Sequence, residues 1–293
     1  MLFDEPTLRK LNQLTLIASR VRSGAMKGER RSSRRGSSVE FADYRNYAPG
    51  DDLRRLDWNI YARLERPFIK LLEEEEDLAV HILIDGSQSM DWGEGDENKF
   101  QYTLKLAAGL GAITLASGDV LTVGFLQHGK VDAEFGPSRG GASLARLFRF
   151  LENLQPEGET NLNRAMRDYS ILPRRAGLVI LLSDLFANDG YETGLRQLMG
   201  RGHEAALVHV LAPDELDPPL AGDLQLVDIE TNQTQDVSLD GGLRERYRTR
   251  ARAWIQSTQT ECRKRNIRYL DAVTNQTWDH ILLLEMRRAG FVK

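Results

Sequence analysis

Residues 78–90 read Leu-Ala-Val-His-Ile-Leu-Ile-Asp-Gly-Ser-Gln-Ser-Met, an apolar run that stops at Asp85 and passes into Gly86, Ser87 and Ser89. A run of strand length with almost no polar position has no face to offer to water. It therefore predicts a strand covered on both sides of a parallel sheet. Val120 to Leu126, Gly177 to Leu182 and Ala205 to Leu211 have the same character. Between them Phe100, Leu104, Ala107, Gly111 and Leu115 keep helical spacing, as do Leu144, Leu147, Phe148 and Leu151. Strand and helix in alternation predict an α/β fold: a doubly wound, mostly parallel, Rossmann-like sheet.

Outward from this core the pattern changes. Toward the C-terminus, Leu224 to Ile229 and Thr234 to Leu239 predict a hairpin. A long helix follows, with Leu243, Tyr247, Ala251, Trp254, Thr258 and Cys262 on one stripe, then a strand over Ile267 to Ala272 and a helix over Trp278 to Arg288. The stripe makes Cys262 a packed thiol rather than a nucleophile. Toward the N-terminus, Leu8, Leu11, Leu14, Ile17 and Val21 suggest an opening helix, followed by a Gly/Ser/Arg stretch and short strand-like pieces. The acidic run Glu73 to Asp77 suggests a boundary, dividing the chain into an N-terminal α+β extension, residues 1–77, and an α/β domain, residues 78–293.

The chain has 293 residues, 41% hydrophobic and 28% charged, enough apolar content for a packed core and too much for a disordered chain. No apolar run is long enough to cross a bilayer, and the acidic opening does not read as a secretory signal. The expected compartment is the cytoplasm, so the sequons at Asn232 and Asn275 are chance matches. One cysteine excludes a disulfide framework and a multi-cysteine zinc site. Between Arg20 and Arg35 seven basic residues face Glu29 alone. This stretch could attract nucleic acid or an acidic partner, but no aromatic side chain is interleaved to stack on bases, and a solvated arm is preferred.

In an open α/β sheet, ligands collect beyond the carboxyl ends of the strands. Asp85, Ser87 and Ser89 place a carboxylate and two hydroxyls at alternating positions there. A hard cation such as Mg²⁺ (or Mn²⁺) takes oxygen donors and keeps several waters, so hydroxyls as direct ligands with an acid one shell out fit its demand. Two more loops offer oxygens: Thr160, within Gly158-Glu159-Thr160-Asn161, and Asp184, at the end of Gly177 to Ser183. The metal-ligating set is thus Asp85, Ser87, Ser89, Thr160 and Asp184. Capping of neighbouring helices by the two acids is the plainer alternative.

The strings DGSQSM, GETN and LLSDL resemble the metal-ion-dependent adhesion site (MIDAS) of von Willebrand factor A domains. The resemblance implies a von Willebrand factor A-like fold, with Ser87, Ser89 and Thr160 as ligands and Asp85 and Asp184 acting largely through water. An acidic side chain of a partner protein would complete the open position. Glu159 stands where the family's second loop has its second glycine. Residues 36–63, GSSVEFADYRNYAPGDDLRRLDWNIYAR, resemble the MoxR-associated family known as domain of unknown function fifty-eight, at Glu40, Phe41, Arg45, Tyr47, Gly50, Asp51, Arg54, Asp57, Trp58 and Arg63. That resemblance implies a MoxR-type AAA+ ATPase as partner, in chaperone-like maturation or assembly of other proteins. Many members carry membrane helices ahead of this segment; none is expected here, and no anchored role is carried over. Read as residues alone, Pro49-Gly50-Asp51-Asp52 is turn chemistry, and Arg45, Arg54 and Arg63 could pair with Asp51, Asp52 and Asp57 as a scaffold.

Together these readings predict a non-enzymatic, metal-dependent adaptor. The alternatives are a metal-dependent hydrolase with Glu159 or Asp91 as general base, and nucleic-acid binding through residues 20–35. Gly136-Pro137-Ser138-Arg139-Gly140 matches the serine nucleophile elbow, but the preceding Val131 to Phe135 alternates like an edge strand rather than a buried one. No phosphate-binding loop of the Gly-x-x-x-x-Gly-Lys-Ser/Thr kind and no His-x-x-x-His pair is present.

Overall fold

The computed structural model describes residues 3–18, 39–74, 77–159, 161–219, 222–230, 233–239 and 241–293. Thr160, Asn232 and the basic stretch Arg20–Arg35 lie outside the described residues. The chain divides into two compact units, residues 1–21 with 78–293, and residues 22–77. The first residues therefore belong with the α/β unit, not with the N-terminal extension to which the sequence pattern assigns them.

The reason lies in the packing of that segment. The opening helix α1 spans only Glu5–Leu11, and the expected continuation is extended. Thr15 and Lys293 exchange backbone hydrogen bonds, Ile17 N–H donates to the Phe291 carbonyl, and Leu16 bridges Val292. Leu11, Leu14, Leu16, Phe291 and Val292 are all buried in one core cluster. Apolar side chains at helical spacing satisfy a strand just as well when another strand end pairs with them.

In the larger unit six strands form one sheet: β3 (Ala79–Asp85), β4 (Val120–Gln127), β5 (Lys130–Arg139), β6 (Leu178–Ser183), β7 (Glu204–Leu211) and β10 (Arg268–Val273), in the order β10-β7-β6-β3-β4-β5. All neighbours run parallel except the edge strand β5, antiparallel to β4. β3, β6 and β7 are buried along their whole length, as unbroken apolar runs require. Alternation sends Val80, Ile82 and Ile84 into one core and Leu83, with Val179 and Leu181 of β6, into the other.

Helices cover both faces. α3 (Lys99–Ala116), the helix that the spacing of Phe100 to Leu115 predicts, is buried at 15 of its 18 positions and is a central helix. With α4 (Leu144–Glu152) it contributes to the first core. α5 (Leu162–Ile171) and α6 (Glu192–Gly200) contribute to the second. The short α7 (Pro213–Leu216) follows β7 and leads to a separate hairpin of β8 (Gly222–Val227) and β9 (Thr234–Leu239), antiparallel as expected. On α8 (Gly241–Lys264) the predicted stripe is buried only near its end, at Thr258 and Cys262. Burial pushes the Cys262 thiol up to about 11, so it stays protonated and inert.

In the smaller unit β1 (Val39–Asn46) pairs antiparallel with β2 (Phe68–Glu74) around a helix, α2 (Trp58–Leu64). The acids of the signature act locally. Asp51 takes Arg45 bidentately at 2.6 Å, which holds its carboxyl at about 2. Asp52 accepts from Arg54 N–H, and Asp57 caps α2 while accepting from the Tyr44 hydroxyl. Of the three predicted arginine pairs, Arg45 with Asp51 forms; among the described residues Arg54 and Arg63 make no ion pair to these acids.

Candidate metal centre

β3 lies between β4 on one side and β6 on the other, so the winding reverses at its carboxyl end. A crevice opens at such a switch point, because the crossovers on either side leave in opposite directions. Asp85 is the last residue of β3, and Ser183 the last of β6, followed by Asp184. Asp85, Ser87, Ser183 and Asp184 are buried, whereas Ser89 is half-buried and faces a cleft of about 520 Å³.

Hydrogen bonds fix each group. Asp85 Oδ1 accepts the Ser87 N–H at 3.0 Å and Oδ2 accepts the Ser183 hydroxyl at 2.5 Å. Ser183 Oγ in turn accepts the Leu185 N–H at 2.9 Å, with Leu185 in the left-handed region at φ 62°. A leucine held there costs about 1–3 kcal/mol, strain of the kind that collects at functional sites. Asp184 Oδ1 accepts the Phe186 N–H, and its carbonyl accepts the Nε2–H of His209. Ser87 Oγ and Ser89 Oγ are 3.0 Å apart.

The predicted loop that leads to Thr160 is stitched to the first. Glu157 N–H donates to the Gly86 carbonyl at 2.9 Å, and Gln88 N–H donates to the Gly158 carbonyl at 2.8 Å. Gln127 Nε2 ties Gly86 to Gln155. Glycine is required twice here. A Cβ on Gly86 would lie 2.3 Å from the Phe125 ring, and Gly158 has φ +66° with its Cβ position 2.7 Å from His128. Thr160 itself is outside the described residues, but residues 157 and 158, just ahead of it, lie against the Asp85 loop. Glu159 is exposed and lines a cleft of about 270 Å³ with Glu230, and Asp91 is exposed and accepts from Asn98.

Three charged residues beside these loops have no motif in the sequence. Lys99, wholly buried in the first turn of α3, donates to Asp184 Oδ2 at 2.6 Å and to Glu215 Oε1 at 2.5 Å. Burial alone would lower the ammonium pKa; Asp184 and Glu215 outweigh it and raise it. Burial raises the Glu215 carboxyl despite the lysine. Glu230, on the turn after β8, directs Oε1 at the Ser89 N–H, 3.4 Å away. Burial, with the charges of Asp184 and Asp228, raises its carboxyl too. The only trace of Lys99 in the sequence is a cation in the first turn of a helix, where the helix dipole disfavours it.

These residues suit a divalent cation. Cis ligands of an octahedral ion at about 2.1 Å stand roughly 3.0 Å apart, the separation of the two serine hydroxyls. Asp85 is raised by burial and then by the charge of Asp184, a repulsion that a cation between them would offset. Lys99 faces two carboxyls, those of Asp184 and Glu215, with Asp85 close behind. Among the described residues no three His, Cys, Asp or Glu side chains converge on a metal-binding cluster.

The fold and site therefore define a mixed α/β protein with oxygen donors gathered at the switch point of its sheet. The family described as "Protein of unknown function DUF58" matches residues 43–257, and the chain belongs to that family. Uncharacterized protein Rv1480 of Mycobacterium tuberculosis and uncharacterized protein Mb1516 of Mycobacterium bovis are each 25% identical to it over 293 residues, covering 98% of this chain and 92% of theirs. Among solved structures, the hypothetical protein BatB from Bacteroides thetaiotaomicron superposes with a TM-score of 0.42 at 14% identity, over 72% of this chain and 98% of that one. An aerotolerance-related membrane protein from Bacteroides fragilis gives 0.38 at 15% identity, over 60% and 88%. In this chain no described helix is long and apolar enough to cross a membrane.

Proposed function

We propose that this chain is a non-enzymatic, metal-dependent adaptor whose von Willebrand factor A-like unit uses Mg²⁺ (or Mn²⁺) to grip an acidic side chain of a partner protein. The observation that carries the reading is the meeting of Asp85, Ser87 and Ser89 with Ser183 and Asp184 at the switch point between β3 and β6. Ser87 and Ser89 would hold the ion, with Thr160, while Asp85 and Asp184 act through water; their free lone pairs suit that role. The bound ion would supply one coordination position to a carboxylate from outside. The signature over residues 36–63 favours a MoxR-type AAA+ ATPase, or its client, as the partner, in the cytoplasm.

Calorimetric titration of Mg²⁺ into the wild type and Asp85→Ala tests the site: saturable binding is expected in the first and none in the second. Equal binding by both, or by neither, overturns it. A pull-down with and without chelator then tests whether the partner depends on the metal. Phosphoester turnover lost in Glu159→Gln would favour a hydrolase instead.

A further inference from the structure

Glu230 is 141 residues from Ser89 in the chain, yet its carboxylate is brought to the Ser89 backbone N–H. The β8–β9 hairpin delivers it. Glu230 N–H donates to Asp228 Oδ1, which shapes the turn so that the acid is directed back toward the sheet. The residue borders two clefts, one that Ser89 also lines, walled by Trp92, Phe186 and Trp254, and another walled by His128 and Arg164. The hairpin is a two-stranded sheet of its own, and Leu226, Val227 and Ile229 leave much of their surface exposed. It can lift without breaking the six-stranded ladder, since small, exposed elements open at lower cost than core strands.

We propose that Glu230 is a ligand supplied in cis, placing this chain's own carboxylate at the coordination position that a partner's acidic side chain would take. The inference rests on the metal-site reading above. It makes the hairpin a competitor: the partner's acid gains the ion only by displacing Glu230, and affinity for an external carboxylate is set by that exchange.

Mn²⁺ serves as the probe, read by its affinity and by the water-proton relaxation of the bound ion. Glu230→Gln keeps the shape of a half-buried turn residue and removes its charge. It is expected to weaken Mn²⁺ binding roughly tenfold, as carboxylate count tunes affinity at oxygen sites. It should also raise the relaxation per bound ion, because water enters the vacated position. Acetate should then lower that relaxation in Glu230→Gln and leave the wild type unchanged. If Asp85→Ala abolishes binding while Glu230→Gln matches the wild type in affinity and relaxation, the metal site stands and the cis ligand is refuted. If wild type and Asp85→Ala bind alike, or neither binds, both proposals fall.

Discussion

Lys99 shows how a single residue sets the charge of the site. Its ammonium is sealed among Asp184, Glu215 and the ring of Phe186, 5.3 Å from the ring centre. Such a group is tolerated only because each carboxylate repays part of its desolvation. Lys99→Met would leave two buried acids facing each other, and is expected to cost about 3–5 kcal/mol in urea unfolding. Asp184→Asn in the same background should recover part of the loss, because one stranded charge is gone. A Lys99→Met protein as stable as the wild type would show that the triad is not held as described.

At the scale of elements, two histidines brace the sheet in the same way. His81 on β3 has Nε2 at 3.0 Å from the Arg175 carbonyl, which can only accept, so Nδ1 accepts from the Tyr169 hydroxyl at 2.8 Å. His209 on β7 repeats this with the Asp184 carbonyl and the Tyr269 hydroxyl. Both imidazoles are neutral, their pKa lowered to about 4 chiefly by burial. In the unfolded chain a histidine takes its proton near pH 6.5, so between about 6.5 and 4 the unfolded state binds a proton that the folded state refuses. The stabilisation is fully present above pH 6.5 and is lost as pH falls toward 4, about 3 kcal/mol for His81. Unfolding at pH 7.5 and 4.5 should show this slope, and His81→Gln, which can make both hydrogen bonds without titrating, should flatten it. A slope unchanged in that variant would remove His81 from the account.

Within these elements much was legible in advance. β3, β4, β6 and β7 could be read because a strand buried on both faces must be apolar throughout. The long helix α8 was legible in extent but not in burial, since a stripe says which residues align, not how far a neighbouring surface reaches. Of the site, Asp85, Ser87, Ser89 and Asp184 follow from one-dimensional spacing at strand ends. Lys99, Glu215 and Glu230 do not, because each reads locally as a helix-end or turn residue.

For the molecule as a whole, the first residues are part of the α/β unit. Leu11, Leu14 and Leu16 are buried with Phe291 and Val292, and each fully buried leucine is worth about 1.5–3 kcal/mol. Removing residues 1–18 should therefore lower the unfolding midpoint sharply and expose the C-terminal segment to proteolysis. An unchanged midpoint would mean that residues 78–293 close their core alone. The parallel sheet, the oxygen-bearing loops and the family signature were settled by the sequence itself, because each depends on residue types a few positions apart. Only the tertiary structure decided that residues 15–17 pair with the chain's end, that Lys99 neutralises part of the site, and that Glu230 lies beside Ser89. Those are contacts between segments about 85 to 280 residues apart, and no local pattern records which buried charge, or which extended segment, a distant partner will meet.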